Sequence, residues 1–256
     1  MKSKLNILLT NDDGIHSEGI NALYKALSRK HAVYIIAPDS ERSACSNAIT
    51  VRSPMKIKKM ADNRFSISGF PADCVIIGLS GNIVPDVDLI ISGINHGPNV
   101  GDDLVFSGTV AGARTGYVFG KAAMAVSINA YHRVSRYLEE ASEFMLGFVN
   151  DLAPVIRGAS SGAGTAERPF YNINYPDLPA AEIKGNRFTH VGRRIYRDSF
   201  SETFLDSDEA TVQMGGYIES IADEGSDTTE LEKGYVSITP LMIDSTDYGS
   251  LKKITG

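Results

Sequence analysis

Cysteine is scarce in this chain, which carries only Cys45 and Cys74 among 256 residues. Two thiols cannot build a disulfide scaffold, and neither has a partner at metal-ligand spacing, so the expected state of both is the reduced thiol of a cytosolic protein. Long apolar runs are missing as well. The chain opens Met1-Lys2-Ser3-Lys4 and passes straight into Leu5-Asn6-Ile7-Leu8-Leu9. That run is far shorter than a signal-peptide core, and nothing later reaches membrane-spanning length, so a soluble, cytoplasmic protein without a membrane partner is expected. Nor is there an excess of basic charge: 25 Lys and Arg face 31 Asp and Glu, a net charge of -6. That balance argues against a general binder of nucleic-acid polymers, which would show a basic face. No internal repeat and no linker breaks the chain. What is there is ordinary for a globular protein, 43% hydrophobic and 22% charged residues, on a chain long enough to bury a large core.

The first half reads as alternating strands and helices. Apolar runs at Leu5–Thr10, Ala32–Ala37, Val87–Ile91 and Ala122–Ile128 suit strands buried on both faces. Between them, Ser17–Arg29 carries Ile20, Leu23, Tyr24 and Leu27 at helical spacing, and Tyr137–Leu152 carries Leu138, Ala141, Phe144, Met145 and Phe148. This alternation predicts an α/β fold, a Rossmann-like three-layer sandwich around a mainly parallel sheet. The second half is less regular. Ala159–Arg168 reads as an exposed loop, Asp206–Glu209 and Asp223–Glu232 as acidic loops, and Tyr171–Tyr175, Phe188–Val191 and Tyr235–Thr239 as short β runs. A single domain over 1–256 is expected, with a core of about 1–180 and an irregular β-rich extension over about 181–256.

Ligands of open parallel sheets bind outside the carboxyl ends of the strands, which directs attention to three loops. Asp12 and Asp13 follow the first strand directly. Adjacent carboxylates there lose solvation and repel each other, a situation relieved by a hard divalent cation with oxygen ligands. A helix N-cap and turn would use the same two residues, and the pair alone leaves both readings open. The second loop, Pro38–Asn47, carries Arg42 and Ser43. In the third, Ser92–Asp103, glycines allow close backbone approach while Asn95 and Asn99 supply amide oxygens and donors. Ser107-Gly108-Thr109 then opens a small-residue helix, where unpaired N–H groups and hydroxyls suit a phosphate as well as they suit an N-cap. His16, His96 and Arg42 lie near these loops as secondary candidates.

Taken together these stretches resemble the SurE family (survival protein E), a group of 5′/3′-nucleotidases. The resemblance is carried by Asn11-Asp12-Asp13-Gly14 with Gly19-Ile20, Ala37-Pro38-Asp39 with Arg42-Ser43-Ala44-Cys45-Ser46-Asn47, and Ser92-Gly93-Ile94-Asn95 with Gly97-Pro98-Asn99 and Gly101-Asp102-Asp103. It continues through Phe106–Ala113, Asn172-Ile173-Asn174 with Pro176, and Gly234–Leu241, in preserved order over nearly the whole chain. It implies one divalent ion per subunit, Mg²⁺ or Mn²⁺, held by Asp12, Asp13, Ser43 and Asn95. It further implies a phosphate pocket lined by Asn95, Asn99, Ser107, Gly108 and Thr109, and a C-terminal extension that joins subunits into a homodimer or homotetramer. The sequence departs from the commonest family pattern at Ala72, His96 and the Ala159–Arg168 loop, none of which touches the four metal positions. Ala72 lacks a hydroxyl and bears on the shape of the substrate pocket.

The expected activity is release of phosphate from nucleoside 5′-monophosphates by a metal-activated water, with 3′-monophosphates and short polyphosphate as further candidates. Asp12, Asp13 and Asn99 are the expected catalytic residues. A receiver-like signalling or nucleotide-binding module without turnover is the alternative. It needs a phosphorylatable aspartate at the end of a later strand, where this chain has Ile91 running into Ser92-Gly93. A zinc deacetylase needs a histidine-containing lead-in where Asn11 stands.

Overall fold

The apolar runs fold as strands because each buries both faces, and their side chains divide by parity between two cores. Ile7 and Leu9 enter one core and Leu8 the other; Leu89 and Ile91 part from Ile90 in the same way. The computed structural model describes residues 4–130, 135–160, 168–204 and 210–255. The chain runs β1 (Asn6–Thr10), α1 (Glu18–Leu27), β2 (Ala32–Pro38), β3 (Ile57–Ala61), β4 (Arg64–Ile67) and α2 (Pro71–Ser80). It continues through β5 (Leu89–His96), α3 (Gly108–Val118), β6 (Ala122–Ile128), α4 (Leu138–Ser160) and β7 (Phe170–Tyr175). Beyond these come β8 (Asn186–Phe188), β9 (Arg194–Phe204), β10 (Ala210–Ser220), α5 (Asp227–Glu232), β11 (Val236–Pro240) and α6 (Tyr248–Thr255).

Nine strands form one sheet in the order β3-β4-β2-β1-β5-β6-β7-β11-β8, parallel except at β3–β4 and β7–β11. Helices α1 and α4 pack together on one face, α2 and α3 on the other, giving the three layers expected. Each fully buried Leu or Ile contributes about 1.5–3 kcal/mol, so these two cores carry the fold without a disulfide. Among the described residues no helix is long and apolar enough to cross a membrane.

The structure differs from the sequence reading at several points. α4 does not stop at Leu152 but runs through Pro154 to Ser160, because Ala153 and Ile156 continue its buried stripe and hold the last turns against the sheet. β5 runs on from Ile91 to His96, with a register shift against β6 between Ser92 and Asn95; such a bulge re-aims the side chains that follow it. Asp227–Glu232, read as part of an acidic loop, is helix α5, with Asp227 fully buried. β8 and β11 lie in the main sheet although both fall beyond residue 180. The exposed β9–β10 ribbon stands apart as a second, two-stranded sheet. Asp206–Glu209 lies outside the described residues, as does 161–167 of the expected Ala159–Arg168 loop.

Gly19 fixes α1 to β5. A Cβ placed there would sit 2.0 Å from the Ile94 carbonyl oxygen, next to the residue that brings Asn95 into the site. Gly19→Ala is therefore expected to cost about 1–3 kcal/mol in a denaturant titration and to lower activity with it.

Candidate functional site

β1 has β2 on one side and β5 on the other, so the sheet reverses its winding between β1 and β5 and opens a crevice at their carboxyl ends. A cavity of about 220 Å³ fills that crevice. Asp12, Asp13, Ser43, Asn95, Asn99 and Ser107 give it a polar side, and Phe106 and Ile218 an apolar one. A larger cavity of about 790 Å³ lies between α1 and α4, beside the exposed ion pairs Lys25–Glu139 and Arg29–Glu143. Two of its three glutamates are engaged in those ion pairs, whereas the smaller cavity sits at the carboxyl ends of the strands, where ligands of open parallel sheets bind.

Asp12 is held from every side. Its carbonyl accepts the Arg42 N–H at 2.7 Å, and Oδ1 accepts the Thr109 hydroxyl at 2.5 Å. Only glycine fits at position 108, where a Cβ would approach Asp12 Oδ2 to 2.8 Å and Cys45 Sγ to 2.7 Å. Burial raises the Asp12 carboxyl to about 6, against the lowering effect of the Thr109 hydroxyl and with a further push from the Asp13 charge. The N-cap reading of the pair does not hold. Ser17 occupies the N-cap position of α1, and Asn11 reaches across the turn to Gly14 O and Ser17 Oγ.

Ser107 does cap α3, its Oγ accepting the Val110 N–H at 3.0 Å, and it lines the cavity. Gly108 and Thr109, expected in the phosphate pocket, are buried and not among the residues that line the cavity, and the Thr109 hydroxyl is spent on Asp12. The anion facing this helix end is thus in part the Asp12 carboxylate itself.

Asn95 donates its amide N–H to Gly97 O at 2.8 Å, which leaves its side-chain oxygen for the cavity; Ser43 donates to Glu41 Oε1 at 2.6 Å and keeps its lone pairs. Ala44 beside it has left-handed backbone, φ 54°, as does Ser46 at 49°, a conformation costing about 1–2 kcal/mol per residue. Asn99 is clamped through its backbone. Its N–H donates to Asn174 Oδ1, its carbonyl accepts from both Asn172 and Asn174, and its side chain donates to Ser127 Oγ at 2.9 Å. These supports were not singled out as site residues, yet two fully buried asparagines spaced by two in a strand mark one face with a common polar partner. Asp227 is a further support, accepting the N–H groups of Gly101, Gly192 and Thr228.

The secondary candidates separate. His96 lines the cavity, His16 is exposed and away from it. Arg42 spends its guanidinium on Asp39 at 3.4 Å and on the Phe70 ring at 5.7 Å. Ala72, expected to shape the pocket, is buried in the first turn of α2 and does not line it.

The donor set fits a hard cation. Asp12, Asp13, Ser43 and Asn95 bring two carboxylates, a hydroxyl and an amide oxygen to one cavity, ligands of the kind hard cations take; among the described residues no group of three or more His, Cys, Asp or Glu is placed to hold a metal ion. A cation there would also offset the burial and like-charge cost carried by Asp12.

Fold and cavity together define the class: a doubly wound α/β protein with an oxygen-lined pocket at the carboxyl rim of its sheet, beside a helix N-terminus. The family described as Survival protein SurE matches residues 7–198, and the chain belongs to that family. It is 38% identical over 252 residues to the 5′-nucleotidase SurE of Leptospira interrogans (serovar copenhageni), covering 98% of this chain and 97% of that protein. Similarity to the 5′/3′-nucleotidase SurE of Proteus mirabilis is 39% over 251 residues, 97% of this chain and 94% of the other. The crystal structure of the SurE protein from Aquifex aeolicus superposes with a TM-score of 0.80 at 33% identity, covering 98% of each chain. Membership sets aside the receiver-like alternative.

Proposed function

We propose that this chain is a 5′-nucleotidase, a metal-dependent phosphomonoesterase that hydrolyses nucleoside 5′-monophosphates, with 3′-monophosphates and short polyphosphate as further substrates. The observation that carries this reading is the convergence of Asp12, Asp13, Ser43 and Asn95 on one cavity with the capped end of α3. Those four would hold one Mg²⁺ or Mn²⁺, which supplies Lewis-acid polarisation of the phosphoryl group and a more acidic water. Asp12 is a fixed ligand because Thr109, Gly108 and Arg42 leave it one position. Asn99 presents its remaining amide N–H, and Ser107 its hydroxyl, to the equatorial phosphoryl oxygens. The asparagine clamp of β7 keeps Asn99 from reorganising as charge develops.

The proposed setting is a cytoplasmic homodimer or homotetramer. Two free thiols suit a reducing compartment, and exposed Phe200, Met214 and Tyr217 on the ribbon, with Leu251 and Ile254 on α6, supply apolar surface for a second subunit. The direct test is phosphate release from 5′-AMP, 3′-AMP, triphosphate and p-nitrophenyl phosphate by purified protein with Mg²⁺, Mn²⁺ or a chelator. Release from 5′-AMP that requires the ion is expected. Turnover undiminished by the chelator, or none with any ion, would reject the proposal.

A further inference from the structure

We infer that Phe106 and Ile218 form a stacking wall for the nucleobase, so that the β9–β10 ribbon sets selection for nucleotides over small phosphate esters; this rests on the nucleotidase reading above. Both side chains line the same cavity as its oxygen ligands, yet they are 54% and 47% exposed. Large apolar groups open to water at the mouth of a polar pocket await an apolar face.

The wall is built and braced. Ile218 on β10 stands directly opposite Tyr196 on β9, and the Tyr196 ring meets Phe106 edge-on with centroids 6.1 Å apart and planes at 86°. Tyr196 is fixed in turn, its hydroxyl donating to Asp103 Oδ1 at 2.7 Å. Asp103 also pairs with Arg194, whose side chain is only 6% exposed, and the Arg194 N–H donates to Asp102 Oδ2 at 2.8 Å. Ribbon and Gly101–Val105 turn are therefore joined at the residues that precede Phe106. Ser107, proposed to receive the phosphate, is the next residue along, so a nucleotide seated by its phosphate places its base within reach of this wall.

Every nucleobase has a π face, so stacking accepts all of them and requires no hydrogen-bond code. The wall therefore selects for the presence of a base and against none in particular. The readout is the ratio of kcat/KM for 5′-AMP to kcat/KM for methyl phosphate, which has no base. Phe106→Ala should lower that ratio about 5- to 150-fold, the range that loss of one base–aromatic stack spans. Ile218→Ala should lower it less, Phe106→Tyr should restore it, and GMP, CMP and UMP should follow AMP. Equal losses on AMP and methyl phosphate, no change in the ratio, or a loss confined to one base would overturn the inference. The Ile218 variant, altered on an exposed ribbon, keeps the test valid if Phe106→Ala does not fold. An unmodified protein that releases no phosphate from AMP would instead reject the nucleotidase reading itself.

Discussion

Alanine at position 13 should reduce phosphate release from 5′-AMP by at least ~100-fold while the protein still melts within a few degrees of the unmodified chain. Asp13 is half-buried at the cavity wall, so its removal opens no core. It also removes the charge that pushes the neighbouring Asp12 carboxyl upward. Loss of activity with the fold intact separates a ligand of the ion from a residue that shapes the turn. Asp13→Asn, which keeps the side-chain volume and one oxygen, should show the same loss in milder form. Substantial activity in the alanine variant would remove Asp13 from the ligand set.

Asp12→Asn should also lose activity, but in metal-free protein it should melt higher than the unmodified chain. Burial carries the Asp12 carboxyl from an ordinary 3.8 to about 6, so folding penalises the charged form by on the order of 3 kcal/mol at neutral pH. Between those two values the folded state keeps a proton that the unfolded state has released, so stability falls as pH rises through the window. The amide removes that dependence. The variant's advantage, at most about 10 °C for a chain of this size, should be full above pH 6 and close as pH falls toward 3.8. Saturating Mn²⁺ should then raise the melting temperature of the unmodified protein more than that of the variant. A variant that melts lower at pH 7 and gains equally from the ion would show that Asp12 is structural.

The middle of the central sheet was legible because β1, β2, β5 and β6 are buried on both faces and so appear as uninterrupted apolar runs at Leu5, Ala32, Val87 and Ala122, whereas the exposed edge strand β3 leaves no such run. The ribbon was not. The residues of β10 are exposed on both faces, so Thr211, Gln213 and Gly215 alternate with Val212 and Met214 without any burial to enforce a pattern. Helix α5 was hidden for the opposite reason. Asp227 and Glu230 look like solvated loop residues, but Asp227 is buried on the N–H groups of Gly101 and Gly192, partners more than 30 positions away that local sequence does not disclose. In the site, the two carboxylates were visible as an adjacent pair behind a strand, as were Asn95 and Asn99 in their glycine-rich loop. The inward turn of Thr109 was not visible, because a hydroxyl at a helix start serves cap, ligand and buried donor alike, and only the third dimension distinguishes them. The apolar side of the cavity was equally obscure, since Ile218 comes from a strand over a hundred residues beyond Phe106.

β11 has a kinetic consequence. Among the described residues it is the one strand paired with β8, and it closes the open edge of β7, yet it is synthesised after both. A growing chain on the ribosome carries that edge bare until residue 240 emerges, and an unpaired edge is where foreign strands attach. Asp227, which secures the Gly101 turn at the cavity, arrives only a few residues earlier. Catalytic competence thus waits on the synthesis of Asp227 and β11.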